Sequence, residues 1–460
     1  MPTQCIAEQY EFSCIERRQV VAGFDGGRMT SDAGALLLKR TDDAIGLIDR
    51  LSGCFIDGRR PELIEHSVRT LVGQRLFALA LGYEDLNDHD ELRKDPLFGV
   101  LLGKLEARRK DCEALAGKST LNRLERYPQA GFSPYHKILP DSAAIERVFV
   151  ELFLDAYAQA TDEIVLDLDA TDAPLHGEQE DRFFHGYYDH YCYLPLYIFC
   201  GKQLLCAKLR PANIDGSAGA IEELERIIGQ IRQRWARTRI ILRADSGFAC
   251  EALMSWCEAR AVHYVFGLAR NARLQRAIGA ELHEAMQRCA ASGQSERRFK
   301  ELTYRTHKSW SRERRVVAKA EATPKGENPR FIVTSLSIDD YARRELYEQF
   351  YCARGEAENR IKECQLDLFA DRLSSEFFAA NQLRLWFASF AYVLIESLRR
   401  RALSATRFAQ ASAATIRLKL LKIGALVNLS VRRVKIAMNS AHPYQTEFAT
   451  AWYALHVAAR

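Results

Sequence analysis

The sequence predicts an α/β fold, and three observations carry that expectation. Between residues 160 and 270, short β-branched apolar runs alternate with stretches of helical periodicity. Two of these runs, Ile164-Val-Leu-Asp-Leu-Asp169 and Ile240-Ile-Leu-Arg-Ala-Asp245, each end on an aspartate. Two more, at 193–200 and 203–210, are separated only by Gly201-Lys202, the signal of a tight hairpin.

Taken in order, residues 1–155 read as a mostly helical region. A helix with a polar cap opens at Ser31-Asp32, and further helices are expected at 62–82 and 143–160, joined by polar connectors such as 126–134. The strand ending at Asp169 follows, then the hairpin, in which Pro195 should push its strand toward the sheet edge. Residues 217–235 carry Ile221, Leu224, Ile228, Ile231 and Trp235 along one stripe, as a helix requires. The strand ending at Asp245, a helix at 249–260 and a strand at 262–268 complete the run. Strand, hairpin, helix, strand, helix, strand is the order of a ribonuclease-H-like core, expected here over 160–398. From Asp245 to Glu358 there are 113 positions, more than one helix and one strand need. The excess holds a charged helix at 270–290 and β-like runs at 298–306, 314–322 and 330–336, and a β-rich inserted subdomain is expected over about 270–328.

Composition narrows the function class. A chain of 460 residues, 48% hydrophobic, should hold more than one core. No basic stretch precedes an apolar one near Met1, and the longest apolar window, 385–395, is shorter than the ~20 residues of a membrane span. The twelve cysteines form no C-x-x-C pair, which fits reduced thiols. A soluble cytoplasmic protein with no membrane partner is expected. Net charge is +5, but residues 399–460 hold eleven Lys/Arg against Glu447 alone, a local +10, leaving about −5 elsewhere. This basic C-terminal region, with Arg432 and Arg433 as candidate contacts, suits a polyanion such as DNA, with dimerisation as its other expected role. Arg69, Arg75, Lys118, Arg123 and Arg126 of the N-terminal region are further candidates.

The chemistry rests on three acids: Asp169, Asp245 and Glu358. At about 100° per residue, Tyr351, Arg354, Glu358 and Lys362 share one helix face while Glu356 points away. An acid ending a strand faces the crevice above a sheet, where α/β proteins place ligands. Asp167, one pleat deeper, is the substitute for Asp169, and Asp172 is weaker. Carboxylates suit Mg2+ or Mn2+, and two such ions per site drive in-line displacement at phosphorus. Arg354 and Lys362 would offset phosphate charge. His176, His185, His190 and Cys192 have zinc-ligand types but no zinc spacing; with Tyr187, Tyr188 and Tyr191 among them, they read as a DNA-contacting or structural segment. Trp310, an aromatic among cations, is a candidate for stacking on an unpaired base.

These residues resemble bacterial insertion-sequence transposases of the DDE type, nearest to the thirteen-eighty family with its Tyr-Arg-Glu-Lys signature. The segments that carry the resemblance include Thr30-Ser-Asp-Ala-Gly34, Leu81-Gly-Tyr-Glu-Asp-Leu-Asn-Asp88, Leu166-Asp-Leu-Asp-Ala-Thr171, Leu242-Arg-Ala-Asp-Ser-Gly-Phe248 and 351–358. The family's Asp-x-Thr falls on Asp169-Ala-Thr171, its second Asp on Asp245, and its Glu on Glu358. Its tyrosine and arginine fall on Tyr351 and Arg354, but Gln365 stands where the lysine is expected. The resemblance implies cut-and-paste movement of the protein's own element, binding of double-stranded DNA at terminal inverted repeats, and a synaptic homodimer. Two alternatives stay open: a nuclease of the same fold without strand transfer, and an inactive DNA-binding derivative of a mobile element.

Overall fold

The computed structural model describes residues 9–127 and 135–457; most of the 126–134 connector lies outside them. The chain forms two compact units. One comprises Asp141–Leu366 and Ala370–Ser389, and the other Met1–Pro140, Asp367–Phe369 and Phe390–Arg460. The helix Ser142–Asp155 therefore belongs with the strands that follow it, and the long helix Phe378–Ala402 is shared, its residues from Phe390 on counting with the second unit.

The first unit is built on a nine-stranded sheet. Its main strands are β1 (Glu163–Ala170), β2 (Leu196–Cys200), β3 (Gln203–Lys208), β4 (Arg239–Ala244), β5 (His263–Leu268), β6 (Glu296–Tyr304), β7 (Arg314–Thr323) and β8 (Arg330–Thr334). Their order is β3-β2-β1-β4-β5-β8-β7-β6. β2 and β3 form the expected antiparallel hairpin, and β4 lies parallel to both β1 and β5. Pro195 stands just outside β2, where its carbonyl accepts from Thr171 N, and the edge strand is β3 rather than β2. No ladder bond is lost to a proline placed before the strand begins.

The region expected as an inserted subdomain is instead a continuation of this sheet. β8 pairs antiparallel with β5 on one side and β7 on the other, and β7 pairs with β6 over nine residues. The helix Gly279–Ser292 packs on the added strands through Ala285 and Cys289. β-Like runs with unpaired backbone donors satisfy them at lowest cost by joining an existing open edge.

Alternation along the strands divides the core. Ile164, Leu166, Leu168, Ile240, Leu242 and Ala244 face one side, against the helices Ser142–Asp155, Ala220–Arg234 and Glu251–Ala259. Val165, Ile241, Val265, Val317 and Ile332 face the other, against Leu346 and Tyr347 of the segment leading to Glu358. At about 25 cal/mol per Å2, each fully covered side chain of this size contributes about 1.5–3 kcal/mol.

The second unit contains the helices Leu36–Ile45, Val68–Leu81, Pro96–Leu102 and Lys118–Glu125, and a C-terminal helix, Gln445–Val457. Ser67 caps Val68–Leu81 by accepting from Thr70 N, and most of that helix is buried on all sides, as its lack of a polar face predicts. Met29–Thr30 adds a short strand to the hairpin Ala425–Ser430/Arg433–Met438. Gly34 explains one quoted motif: a Cβ there would stand 2.1 Å from Leu420 O and 2.5 Å from Leu421 Cα, so only glycine admits this crossing of backbones. A hairpin, Gln9–Ile15 with Arg18–Gly23, is exposed along nearly its whole length; strands were not expected in this region.

Candidate active site

Strand register alone sets two of the acids side by side. In the parallel pair β1/β4, Asp167 stands opposite Arg243 and Leu168 opposite Ala244, so Asp169 and Asp245 follow at the same C-terminal edge. Alternation gives Asp167, Asp169, Arg243 and Asp245 one common face. On that face Asp167 is not available: it is 2% exposed, and Arg243 grips both its oxygens at 2.5 and 2.8 Å. Arg243 also donates to Phe350 O at 2.5 Å, tying the sheet to the segment that carries Glu358.

That segment is not a uniform helix. A π-helical stretch, Leu346–Tyr351, passes through a tight turn at Cys352–Arg354 into the α-helix Gly355–Lys362 and a second π-helical stretch, Glu363–Asp367. The wheel drawn from regular α-helix geometry still holds where it matters. Arg354 reaches Glu358 one turn on, at 2.5 Å, and approaches Asp169 at 3.5 Å. Asp169, Asp245, Arg354, Glu358 and Lys362 all line one cleft of about 830 Å3. Tyr351 stands beside it, its hydroxyl close over Gly267 of β5. Gln365 lines the same cleft and donates to Asp172 O at 2.8 Å, so it serves as a backbone tie rather than a free charge.

The electrostatics follow from this placement. The Asp169 carboxyl is raised to about 7, chiefly by burial; Arg354 pulls it down, while the negative charges of Asp245 and Glu358 push it up. Arg354 is held above its ordinary value: burial opposes its charge, but Asp169 and Glu358 favour it. A buried carboxylate held this high in a cleft beside two other acids is the kind of group that functional sites gather. Asp245 accepts from Gly247 N at 2.9 Å, which fixes the turn that presents it.

A family model described as Transposase DDE domain group 1 matches residues 12–459. The chain belongs to the DDE transposases. Among curated proteins none matches the sequence. In solved structures the transposase is similar to piggyBac transposase in its synaptic complex with hairpin DNA, at 13% identity and a TM-score of 0.40, over 85% of this chain and 80% of that one.

The three acids line one cleft without forming a ready-made cage for a cation. Among the described residues of the transposase, no three carboxylate, imidazole or thiol groups stand close enough together to hold one ion. The Arg354 guanidinium bridges Asp169 and Glu358 instead. The donor chemistry nonetheless fits Mg2+ or Mn2+: all-oxygen, anionic, and set around one cleft.

Other candidates divide sharply. Trp310 does not offer a stacking face: it is 6% exposed, with Tyr304 edge-on and the Arg314 guanidinium over its ring. The surrounding cations misled, because Arg314 is consumed by Glu251 and Glu258 rather than by solvent. Arg75 is likewise buried against Glu125, and Arg69 pairs with Asp49. Arg123 stays exposed. It lines a depression of about 380 Å3 with Arg59, Arg60 and Lys137, and only Arg59 among these four is neutralised, by Asp57. Sequence reading missed this cluster because Lys137 and Arg60 come together only through the pairing of Phe55–Asp57 with Ile138–Pro140. Arg432 and Arg433 are exposed at the tip of the C-terminal hairpin. No helix among the described residues is long and apolar enough to cross a membrane.

Proposed function

We propose that this transposase cuts DNA at the terminal inverted repeats of its own insertion sequence and joins the freed 3′ ends to target DNA, with Asp169, Asp245 and Glu358 as the catalytic carboxylates. The observation that carries the proposal is their convergence: three acids far apart in sequence line one cleft, two through strand register and one through a helix on the same face of the sheet. The strand order, with β1 central, antiparallel to β2 and parallel to β4, supports a ribonuclease-H-like core.

The same three carboxylates would hold two Mg2+ (or Mn2+) ions, which when bound supply an activated attacking oxygen and a stabilised leaving oxygen. Arg354 keeps Asp169 and Glu358 from repelling each other while the cleft is without a cation, and it stands ready to pair with a phosphate oxygen once they are otherwise neutralised. Lys362, exposed at the rim, adds positive charge where the DNA backbone would enter. Arg123, Lys137 and Arg60, and separately Arg432 and Arg433, are suited to positioning a duplex through its phosphates. Membership of the thirteen-eighty group, with Tyr351, Arg354 and Glu358 as its signature, and a homodimer in the synaptic complex belong to the same reading.

The test is strand cleavage and joining on a duplex carrying the repeats that flank the gene. Wild-type protein with Mg2+ should release 3′-hydroxyl ends and insert them into a plasmid. Asp245→Asn and Glu358→Gln should each abolish both steps while leaving duplex binding intact. Cleavage without joining would reduce the protein to a nuclease, and full activity in either variant would remove the assignment.

A further inference from the structure

Five aromatic residues fall within positions 183–191: Phe183, Phe184, Tyr187, Tyr188 and Tyr191. They belong to a small sheet in which His190–Tyr193 is flanked by Phe183–His185 and Ala173–Pro174, with Tyr187 and Tyr188 in the turn before His190. A core would hide such rings, but here all except Tyr188 are exposed. Tyr187 is 85% exposed, and Phe184 and Tyr191 about half exposed. Solvating so much aromatic surface is unfavourable unless something covers it.

Tyr187 is also held in place. Its ring stands edge-on to Tyr188 at 5.0 Å. Tyr188 is in turn packed between His185 and His190, and His190 Nε2 lies 2.9 Å from Asp172 Oδ2. The turn is closed by Asp189 N and Tyr188 N donating to His185 O. Tyr187, Tyr188 and His185 line the same cleft as Asp169, Asp245 and Glu358. Just before the neighbouring strand the Arg182 guanidinium lies 4.7 Å over the Tyr191 ring and pairs with Glu178 at 2.6 Å.

We propose that this hairpin is the base-stacking platform of the cleft, with Tyr187 stacking on an unpaired nucleobase of the DNA strand whose backbone lies against the three acids. This rests on the DNA-processing reading above and adds to it the subsite that receives single-stranded DNA. The chemistry matches that occupant: every base offers a flat π-face to an exposed aromatic ring. The platform takes over the role the sequence suggested for Trp310, whose faces are covered.

The experiment separates bases from phosphates and needs no catalysis. Binding is measured by fluorescence anisotropy, in metal-free buffer, to labelled oligothymidylate of about twelve nucleotides, and to the same backbone with abasic sites throughout. Wild-type protein should prefer the base-bearing strand about tenfold or more, since one aromatic–base stack contributes roughly five- to hundredfold. Tyr187→Ala should erase most of that preference without changing affinity for the abasic strand, and Tyr187→Phe should retain it. The proposal fails if wild type shows no preference for bases, if Tyr187→Ala keeps it, or if that change weakens both strands alike. It also fails if Tyr187→Ala only converts a dimer to a monomer, which would make the surface a contact between two copies. An enzyme inactive for other reasons would still give the binding result, so this test and that of catalysis fail separately.

Discussion

Gly267 offers the sharpest single test of how the cleft is built. It lies on β5, whose parallel register sets Phe266 beside Ala244 and therefore Gly267 beside Asp245. A methyl group there would stand 2.6 Å from the Tyr351 hydroxyl, 2.9 Å from Ser246 N and 3.1 Å from the Asp245 carbonyl carbon. Ordinary contact begins near 3.4 Å, so the backbone around Asp245 must retreat by 0.3 to 0.5 Å. The tyrosine side chain can swing aside, but the backbone of a tight turn cannot yield without distortion. Overpacking of this kind costs about 1–3 kcal/mol. Because a 1 Å misplacement of a reacting group costs about a hundredfold, a half-ångström shift of Asp245 should slow cleavage roughly tenfold. Single-turnover cleavage of the terminal-repeat duplex gives the rate, and urea unfolding gives the stability. Adding Tyr351→Phe should restore only a small part, since it relieves one of three contacts. Wild-type rate and stability in Gly267→Ala would refute the placement of Asp245 against β5.

Divalent cation binding should show without catalysis: saturating Mg2+, at about a hundred times its dissociation constant, should stabilise the wild-type protein by about 2.7 kcal/mol, and Asp245→Asn or Glu358→Gln should remove that thermal shift. Arg123→Ala combined with Lys137→Ala should weaken duplex binding and reduce the slope of log affinity against log salt by about two, measured by anisotropy over a salt series. His89 is fully buried with Gln74 Nε2 donating to its Nδ1, and burial lowers its pKa to about 3 from 6.5. The unfolded chain therefore binds the extra proton first, and stability is lost as pH falls from about 6.5 toward 3. At about pH 4.5 the loss is on the order of 2–3 kcal/mol, and His89→Gln should flatten that part of the urea-midpoint profile.

What the sequence made legible and what it hid follow from how far apart the determinants lie. Asp169 and Asp245 could be singled out because an acid ending an apolar run breaks a pattern within six residues. Glu358 could be singled out from helical spacing over twelve residues, and Arg354 does meet it one turn away. The use of Arg354 was hidden: its pairing with Asp169 depends on a helix packing over a strand 185 positions earlier in the chain. The strands β6 and β7 could be read as strands but not as members of the main sheet, because the edge they join is made by β8, which follows them. Local charge misled in the same way at Trp310 and Arg75, where carboxylates distant in sequence cover the cations. The exposed aromatic hairpin was visible as a composition but not as a surface, since only burial distinguishes the two.

The unit holding the cleft lies inside the other unit's span of chain. Met29–Thr30 pairs with Ala425–Ser430, and Ala33 N donates to Ile423 O, so a strand near the start of the chain waits for one made nearly 400 residues later. During synthesis at about 5–20 residues per second, that delay is tens of seconds. The nascent protein can thus finish its nine-stranded sheet on the ribosome while the flanking helices still lack their closing partner. A mutation that slows that sheet should leave those helices exposed for longer, and so should reduce yield through aggregation of the newborn chain before any effect on the mature enzyme is seen.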